Sequence, residues 1–202
     1  MSWDYTRYVA SFMSSALCGY ASRYPWQMTS DAIGIVNALI DDLPLEFHVE
    51  QGVATHPSST IEPGAVLKGP IIVGPDCFVA AGAYLRGGCW LECDNIIGPC
   101  CELKSSFLFS GAKLAHFNFV GDSIVGRDVN LEAGSIVANY RNEQTEPAIR
   151  IVHDQQEIAT GVRKFGALIG DSVKIGANAV VAPGAIIEAN RIVKRLELVD
   201  QS

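Results

Sequence analysis

Large apolar residues recur along this chain every six positions. Stepping from Thr55, they fall at Ile61, Leu67, Val73, Val79, Leu85, Leu91, Ile97, Leu103, Phe109 and Ala115, and nine of these eleven positions are large and apolar. Four residues after each come mostly small or apolar side chains, among them Ala65, Ile71, Cys77, Ala83, Cys89 and Cys101. The next position is often small or polar, as in Val73-Gly74 and Ile97-Gly98. The unit returns at Val125-Gly126, Leu131-Glu132 and Val137-Ala138, and again from Ile169-Gly170 to Ile187-Glu188. A period of six is neither helical nor simple strand alternation, and an internal repeat outranks local propensity. It predicts one short strand and one sharp turn per hexad. Three hexads close a coil, and each large residue stacks along the axis on its counterpart eighteen residues on. The expected fold is all-β, a left-handed parallel β-helix, which departs from the right-handed crossover rule.

The rhythm breaks in two places. From Ala115 to Val120 and from Val120 to Val125 each step is five, so two hexads on either side of Val120 each lack a residue. Shortened rungs there should draw the wall inward and alter how His116 is presented. Between Tyr140 and Leu168 the beat is absent, and residues 141–166 form a long polar loop of the kind that usually carries function. Residues 1–50 have a different, helical texture. A first helix is expected over Asp4 to Tyr20, with Trp3, Tyr8, Phe12 and Leu17 on one face, and Pro25 in SRYPWQ breaks it. A second runs from about Ser30 through DAIGIVNALIDDL, capped by Ser30 or Asp31, with Pro44 just past its end. The organisation is therefore a helical segment over 1–50 and a β-helix over 51–202 with its loop at 141–166.

Composition narrows the class. The 202 residues are 49% hydrophobic but only 8% aromatic, so small and branched side chains must build the core. A net charge of −7 argues against non-specific binding of nucleic acid or an anionic membrane. No run approaches the ~18 apolar residues of a membrane span. The apolar stretch Tyr8 to Leu17 lacks a basic flank, since Asp4 and Arg7 cancel, which favours a helix over a signal peptide. Cys77, Cys89 and Cys101 lie twelve apart in phase with the repeat, as small core residues would. Cys89 and Cys93 lack a second pair at zinc spacing, so no metal is expected, and the thiols are read as reduced and the protein as cytoplasmic.

Chemistry has few candidates. Of four histidines, His116 follows Ala115, read as axial, so its imidazole should emerge outside the coil. It could take a proton from a nucleophile near pH 7, or be a surface histidine without a task. The stretch AHFNFVGDSIVGRDVNLEAGSIVANY, with GVRKFGALIGD from Gly161 to Asp171, resembles a known family. It is similar to the hexapeptide-repeat acetyltransferase domain of bifunctional N-acetylglucosamine-1-phosphate uridylyltransferase/glucosamine-1-phosphate acetyltransferases, in particular to archaeal sugar-1-phosphate nucleotidylyltransferase/acetyltransferases. The resemblance spans roughly residues 55 to 190.

That resemblance implies roles residue by residue. His116 falls on the general base that deprotonates the sugar amine. Arg86 in YLRGG and Lys104 in CELKSS fall on residues that hold the sugar phosphate, suited to it by charge and donor geometry. Asn130 and Asn139 fall on amides that position substrate and acetyl donor, and a backbone N–H near Asn139-Tyr140 would steady the oxyanion. Lys164 falls on a lysine that the loop brings to the site, in this or a neighbouring subunit. Arg191, Lys194 and Arg195 would meet coenzyme phosphates. Two positions depart from the pattern: Phe119 stands where the family has tyrosine, and Ala177 where it has a coenzyme-contacting serine. No LAAGxGTR-like segment opens the chain, so uridylyl transfer is expected to be missing. The implied activity is an acetyl-CoA-dependent N-acetyltransferase on an amino-sugar phosphate, a homotrimer needing no metal. Two rival readings stay open: a catalytically impaired trimer that partners a separate sugar nucleotidyltransferase, and an acyltransferase acting on a nucleotide-linked sugar.

Overall fold

The chain folds as a three-walled parallel β-solenoid flanked on one side by its N-terminal segment. The structure is a computed structural model and describes residues 3–201; the outermost residues of the two expected segments, 1, 2 and 202, lie outside the described residues. Each coil contributes one short strand to each wall. The first wall stacks 53–55, 71–73, 89–91, 106–108, 124–125, 167–169 and 185–187 in parallel register. The second is a seven-stranded sheet running from Thr60–Ile61 to Ile192–Val193. The third stacks 66–68, 84–86, 102–104, 119–121, 136–137, 180–181 and 198–199. This is the left-handed β-helix that the hexads predict.

One apolar column fills the axis. Val73, Val79, Leu85, Leu91, Ile97 and Leu103 are fully buried in it, with Cys77, Cys89 and Cys101 packed between them. A Cβ on Gly74 or Gly98 would run into a carbonyl oxygen of the next coil, that of Glu92 or Ala115, which is why the turn after the large residue is glycine there.

Past Leu103 the phase differs from the expected one. The axial residues are Leu108, Leu114, Val120 and Val125, whereas Phe109 packs outward and Ala115 is half-exposed. The steps of five are therefore Leu103 to Leu108 and Val120 to Val125. Residues 107–109 are all apolar and all buried, so periodicity alone does not say which of them points inward.

The outer face of the first wall is covered. Ala54, Ile72, Trp90, Phe107, Ile124 and Leu168 point away from the axis and form a second cluster with Trp3, Tyr8, Phe12, Leu17 and Trp26. The expected helix over Asp4 to Tyr20 is not formed. Three single 3₁₀ turns stand there, Tyr5–Arg7, Phe12–Ser14 and Cys18–Tyr20. The hydroxyls of Ser14 and Ser15 donate to the carbonyls of Ser11 and Phe12, and Leu17 N–H donates to Ser15 Oγ. Such local bonds compete with a continuous helix. Pro25 starts a helix rather than only breaking one: α1 spans Pro25–Ser30, with Pro25 at its first position, where a missing N–H costs nothing. Helix α2 spans Ala32–Asp41 with Asp31 at its N-cap, although the Asp31 side chain makes no capping bond. Among the described residues no helix is long and apolar enough to cross a membrane.

The loop is more ordered than its polarity suggests. It holds an antiparallel hairpin, Arg150–His153 with Gln156–Ala159, and buries Ile149, Ile151 and Phe165 in the second cluster. Arg7 bonds Asp154 at 2.7 Å and Glu188 at 2.6 Å, and the Trp3 ring stacks on His153, tying the N-terminal segment to the hairpin.

Candidate active site

All three departures from the repeat fall on one edge, between the third and first walls. Arg86 pairs with Lys104 across eighteen residues, but Cys89 pairs with Ser106 across seventeen, so one residue is missing around Ser105. The next coil is short at Asp122-Ser123, and the long loop leaves from the same edge one coil later. Serine hydroxyls close the gaps: Ser106 Oγ donates to the Lys104 carbonyl and accepts Ser123 N–H, and Ser123 Oγ donates to the Gly121 carbonyl. Gly88, at φ +87, lets the backbone of α2 approach where a Cβ would meet Ala32 and Ile33 at 2.5–2.6 Å. The bulged strand beside Arg86 is thereby pinned.

This edge carries a cleft of about 400 Å³ lined by Arg86, Lys104, Phe119, Asn139, Tyr140 and Lys164. Six residues singled out in the sequence come together here within one chain. Arg86 Nε donates to Glu102 Oε1 at 2.8 Å, and Nη2 lies 2.6 Å from the same oxygen as an ion pair. Lys104 Nζ donates to both oxygens of Asp122 at 2.8 Å and to Ser105 Oγ at 3.3 Å. Asp122 is buried and also accepts from the Asn139 side-chain amide. The Phe165 N–H donates to the Asn139 carbonyl, and the Phe165 ring packs edge-on against Trp26 of α1, which fixes the chain next to Lys164.

His116 occupies a different edge, between the second and third walls, and does not line this cleft. The shortened rungs are not at its turn, so the expectation that they govern its presentation is corrected. Its coil is set instead by Asn118, buried inside the turn. Asn118 Oδ1 accepts His116 N–H at 3.1 Å, and Nδ2 donates to the Glu132 carbonyl at 2.8 Å and to Ser135 Oγ at 2.9 Å. The imidazole is left on the surface as expected. Phe119 links the two edges: a Cβ on Gly121 would meet its Cζ at 2.8 Å and the Asn139 amide at 2.7 Å, so the ring lies along the third wall toward the cleft.

A second cleft, of about 470 Å³, lies where the second wall meets the edge of His116, and Asn130, Glu132, Lys174, Lys194 and Arg195 line it. Asn130 is thus separated from Asn139. Ala177 and Arg195 follow the axial residues Ile175 and Val193 by two, as His116 follows Leu114, so the three share one column. Glu132 accepts from Arg195 at 2.9 and 3.0 Å and from Ala177 N–H at 2.9 Å. The Arg195 guanidinium, then the Ala177 N–H, hold its carboxyl below the ordinary glutamate range. Arg191 lies outside the cleft and pairs with Glu197 at 3.3 Å. The cations Lys174, Lys194 and Arg195 against one carboxylate suit an anionic ligand such as coenzyme phosphates.

Asp122, Glu102, Glu132 and Asn118 were not assigned roles from the sequence. Asp122 stands inside the GDS motif, and its position one coil above Lys104 was the signal available.

No family model matches the chain. Curated relatives do. A bifunctional sugar-1-phosphate nucleotidylyltransferase/acetyltransferase of Sulfurisphaera tokodaii is 34% identical over 147 residues, 64% of this chain and 36% of the relative. A bifunctional protein GlmU of Methanococcus maripaludis is 33% identical over 183 residues, 88% of this chain and 43% of the relative. The chain is a relative of these bifunctional proteins. It spans less than half their length. Among solved structures, the acetyltransferase domain of PglB from Neisseria gonorrhoeae, in complex with acetyl coenzyme A, aligns with a TM-score of 0.46 at 16% identity, covering 83% of this chain and 63% of that one.

Proposed function

We propose that this chain is an acyltransferase that moves an acetyl group from acetyl-CoA to the amine of an amino sugar bearing a phosphate or a nucleotide. The observation that carries the reading is the cleft on the broken edge, where Arg86, Lys104 and Lys164 meet beside the Asn139 amide. Three cations and an amide in one open cleft suit an anionic, hydroxyl-rich acceptor. Relatives named for sugar-1-phosphate chemistry support the same class.

In this reading the third wall is the floor of the site. Acetyl-CoA, when bound, supplies a thioester carbonyl. His116 accepts the proton that the amine loses as the new amide bond forms, the acyl C–S bond of the thioester breaks, and coenzyme A leaves as the thiol with that proton. Asn139 orients the acceptor, and Arg86, Lys104 and Lys164 hold its phosphoryl group. Lys174, Lys194 and Arg195 hold coenzyme phosphates in the second cleft. Holding both reactants along one wall supplies much of the acceleration.

A homotrimer is part of the proposal. Ile136, Val180 and Leu198 form an exposed apolar row on the third wall, between the two edges, and a neighbouring copy laid there would roof the site. The scaffold reading has one observation in its favour, Phe119 in the cleft where the relatives' pattern has tyrosine. A thioester-cleavage assay with glucosamine-1-phosphate and galactosamine-1-phosphate decides between them. We expect turnover that falls ~10²-fold or more in His116→Ala, the usual range for a general base. No histidine-dependent turnover with either sugar would overturn the transferase reading.

A further inference from the structure

We propose that Asp122 is a positioning residue that sets how strongly the cleft holds an anionic acceptor. The proposal rests on the reading of that cleft as the acceptor site. Asp122 is 5% exposed and lies at the centre of the cleft's polar network. Its backbone is fixed by the short edge: the N–H donates to the Lys104 carbonyl at 2.7 Å, the carbonyl accepts Gly166 N–H at 2.9 Å, and φ is +48. The missing residue thus delivers a carboxylate to a place where an ordinary hexad would put a longer turn.

The carboxylate has two partners, both lining the cleft. Lys104 has three N–H bonds, and Asp122 Oδ1, Asp122 Oδ2 and Ser105 Oγ take all three. Asn139 donates one amide hydrogen to the same carboxylate. Lys104 is therefore held in place and neutralised before any ligand arrives. A buried charge without a partner is costly, so the pair persists until another anion replaces the carboxylate. An arriving phosphoryl group must compete with Asp122 for Lys104. Arg86 is compensated in the same way by Glu102. The consequence is a cleft that fixes acceptor geometry without gripping the phosphate tightly, which suits release of an acetylated product that keeps its phosphate.

Calorimetry without acetyl-CoA tests this directly, with inorganic phosphate and glucosamine-1-phosphate as probes, on wild type and Asp122→Asn. One carboxylate charge less beside Lys104 should tighten phosphate binding about 5- to 20-fold at low salt, and the gain should shrink at high salt. In turnover, Asp122→Asn should lower kcat, because Asn139 loses its charged acceptor, while KM falls or stays level. A residue that merely supports the fold would not tighten binding. Unchanged or weaker phosphate affinity in Asp122→Asn overturns the proposal. If that variant does not fold, the wild-type Asn139 side-chain amide resonance should shift on phosphate titration, and its constancy at saturation overturns the proposal equally. Binding that behaves as expected in a chain without turnover would refute the transferase reading and leave this one standing.

Discussion

Cys77 and Cys89 fill axial space between the large residues, and burial pushes their thiols from 9.0 up to about 11. The folded state holds only the neutral thiols, so their contribution is fully present below about 9 and is lost as pH rises through about 11. Thermal unfolding should thus move to lower temperature between those pH values, and Cys77→Ala with Cys89→Ala should flatten that dependence. At pH 8 the exposed Cys18 and Cys100 should react with a maleimide while Cys77 and Cys89 stay protected, as mass spectrometry of the labelled chain would show. Phe119→Tyr makes a second residue-scale test. A hydroxyl added at the ring tip would reach the cleft beside Asn139, and KM for a phosphorylated acceptor should fall several-fold, about 1 kcal/mol for one added hydrogen bond. At this scale the sequence was informative where polar residues kept a motif's spacing. Arg86, Lys104, Asn139 and Lys164 could be named through the resemblance, because their spacing matches that family's motif. Asp122 and Asn118 have partners, Lys104 and Ser135, that lie about one coil away, so their roles show only once the coils are stacked.

At the scale of elements, the N-terminal segment and the first wall stabilise each other through aromatic packing. Trp90, 5% exposed and edge-on to Phe109, stands at the centre of that contact. Trp90→Ala should cost about 3–5 kcal/mol by the usual price of an emptied aromatic site, read as a lowered midpoint in urea with a two-state fit. Gly98→Ala should also lower that midpoint, since its Cβ has no room beside the Ala115 carbonyl. The hexad predicted wall, coil and axis because a glycine-and-aliphatic period has one economical packing. It misplaced the short rungs because Phe107, Leu108 and Phe109 are all buried, two of them outward under the N-terminal segment. Periodicity reports the inner face only while the outer face is polar. The expected first helix failed for a related reason: serine side chains and contacts with the wall, not helical spacing, decide the path of residues 4–20.

At the scale of the molecule, one edge gathers the shortened rungs and the long loop, while the next edge carries His116, and the third wall, with its exposed Ile136, Val180 and Leu198, lies between them. That wall is the surface a second copy would cover. Ile136→Asp should therefore shift the particle from about three times 21.7 kDa toward a single chain in light scattering, with loss of turnover in parallel. The central claim is that acceptor and acyl donor meet along this wall, with the phosphoryl group at the broken edge. The most direct test is an experimental structure with CoA and glucosamine-1-phosphate bound. The account predicts the phosphoryl group against Arg86, Lys104 and Lys164, the amine on the side of His116, and the CoA phosphates near Lys174, Lys194 and Arg195. A sugar phosphate seated elsewhere, with the Arg86–Glu102 and Lys104–Asp122 pairs undisturbed, would contradict it.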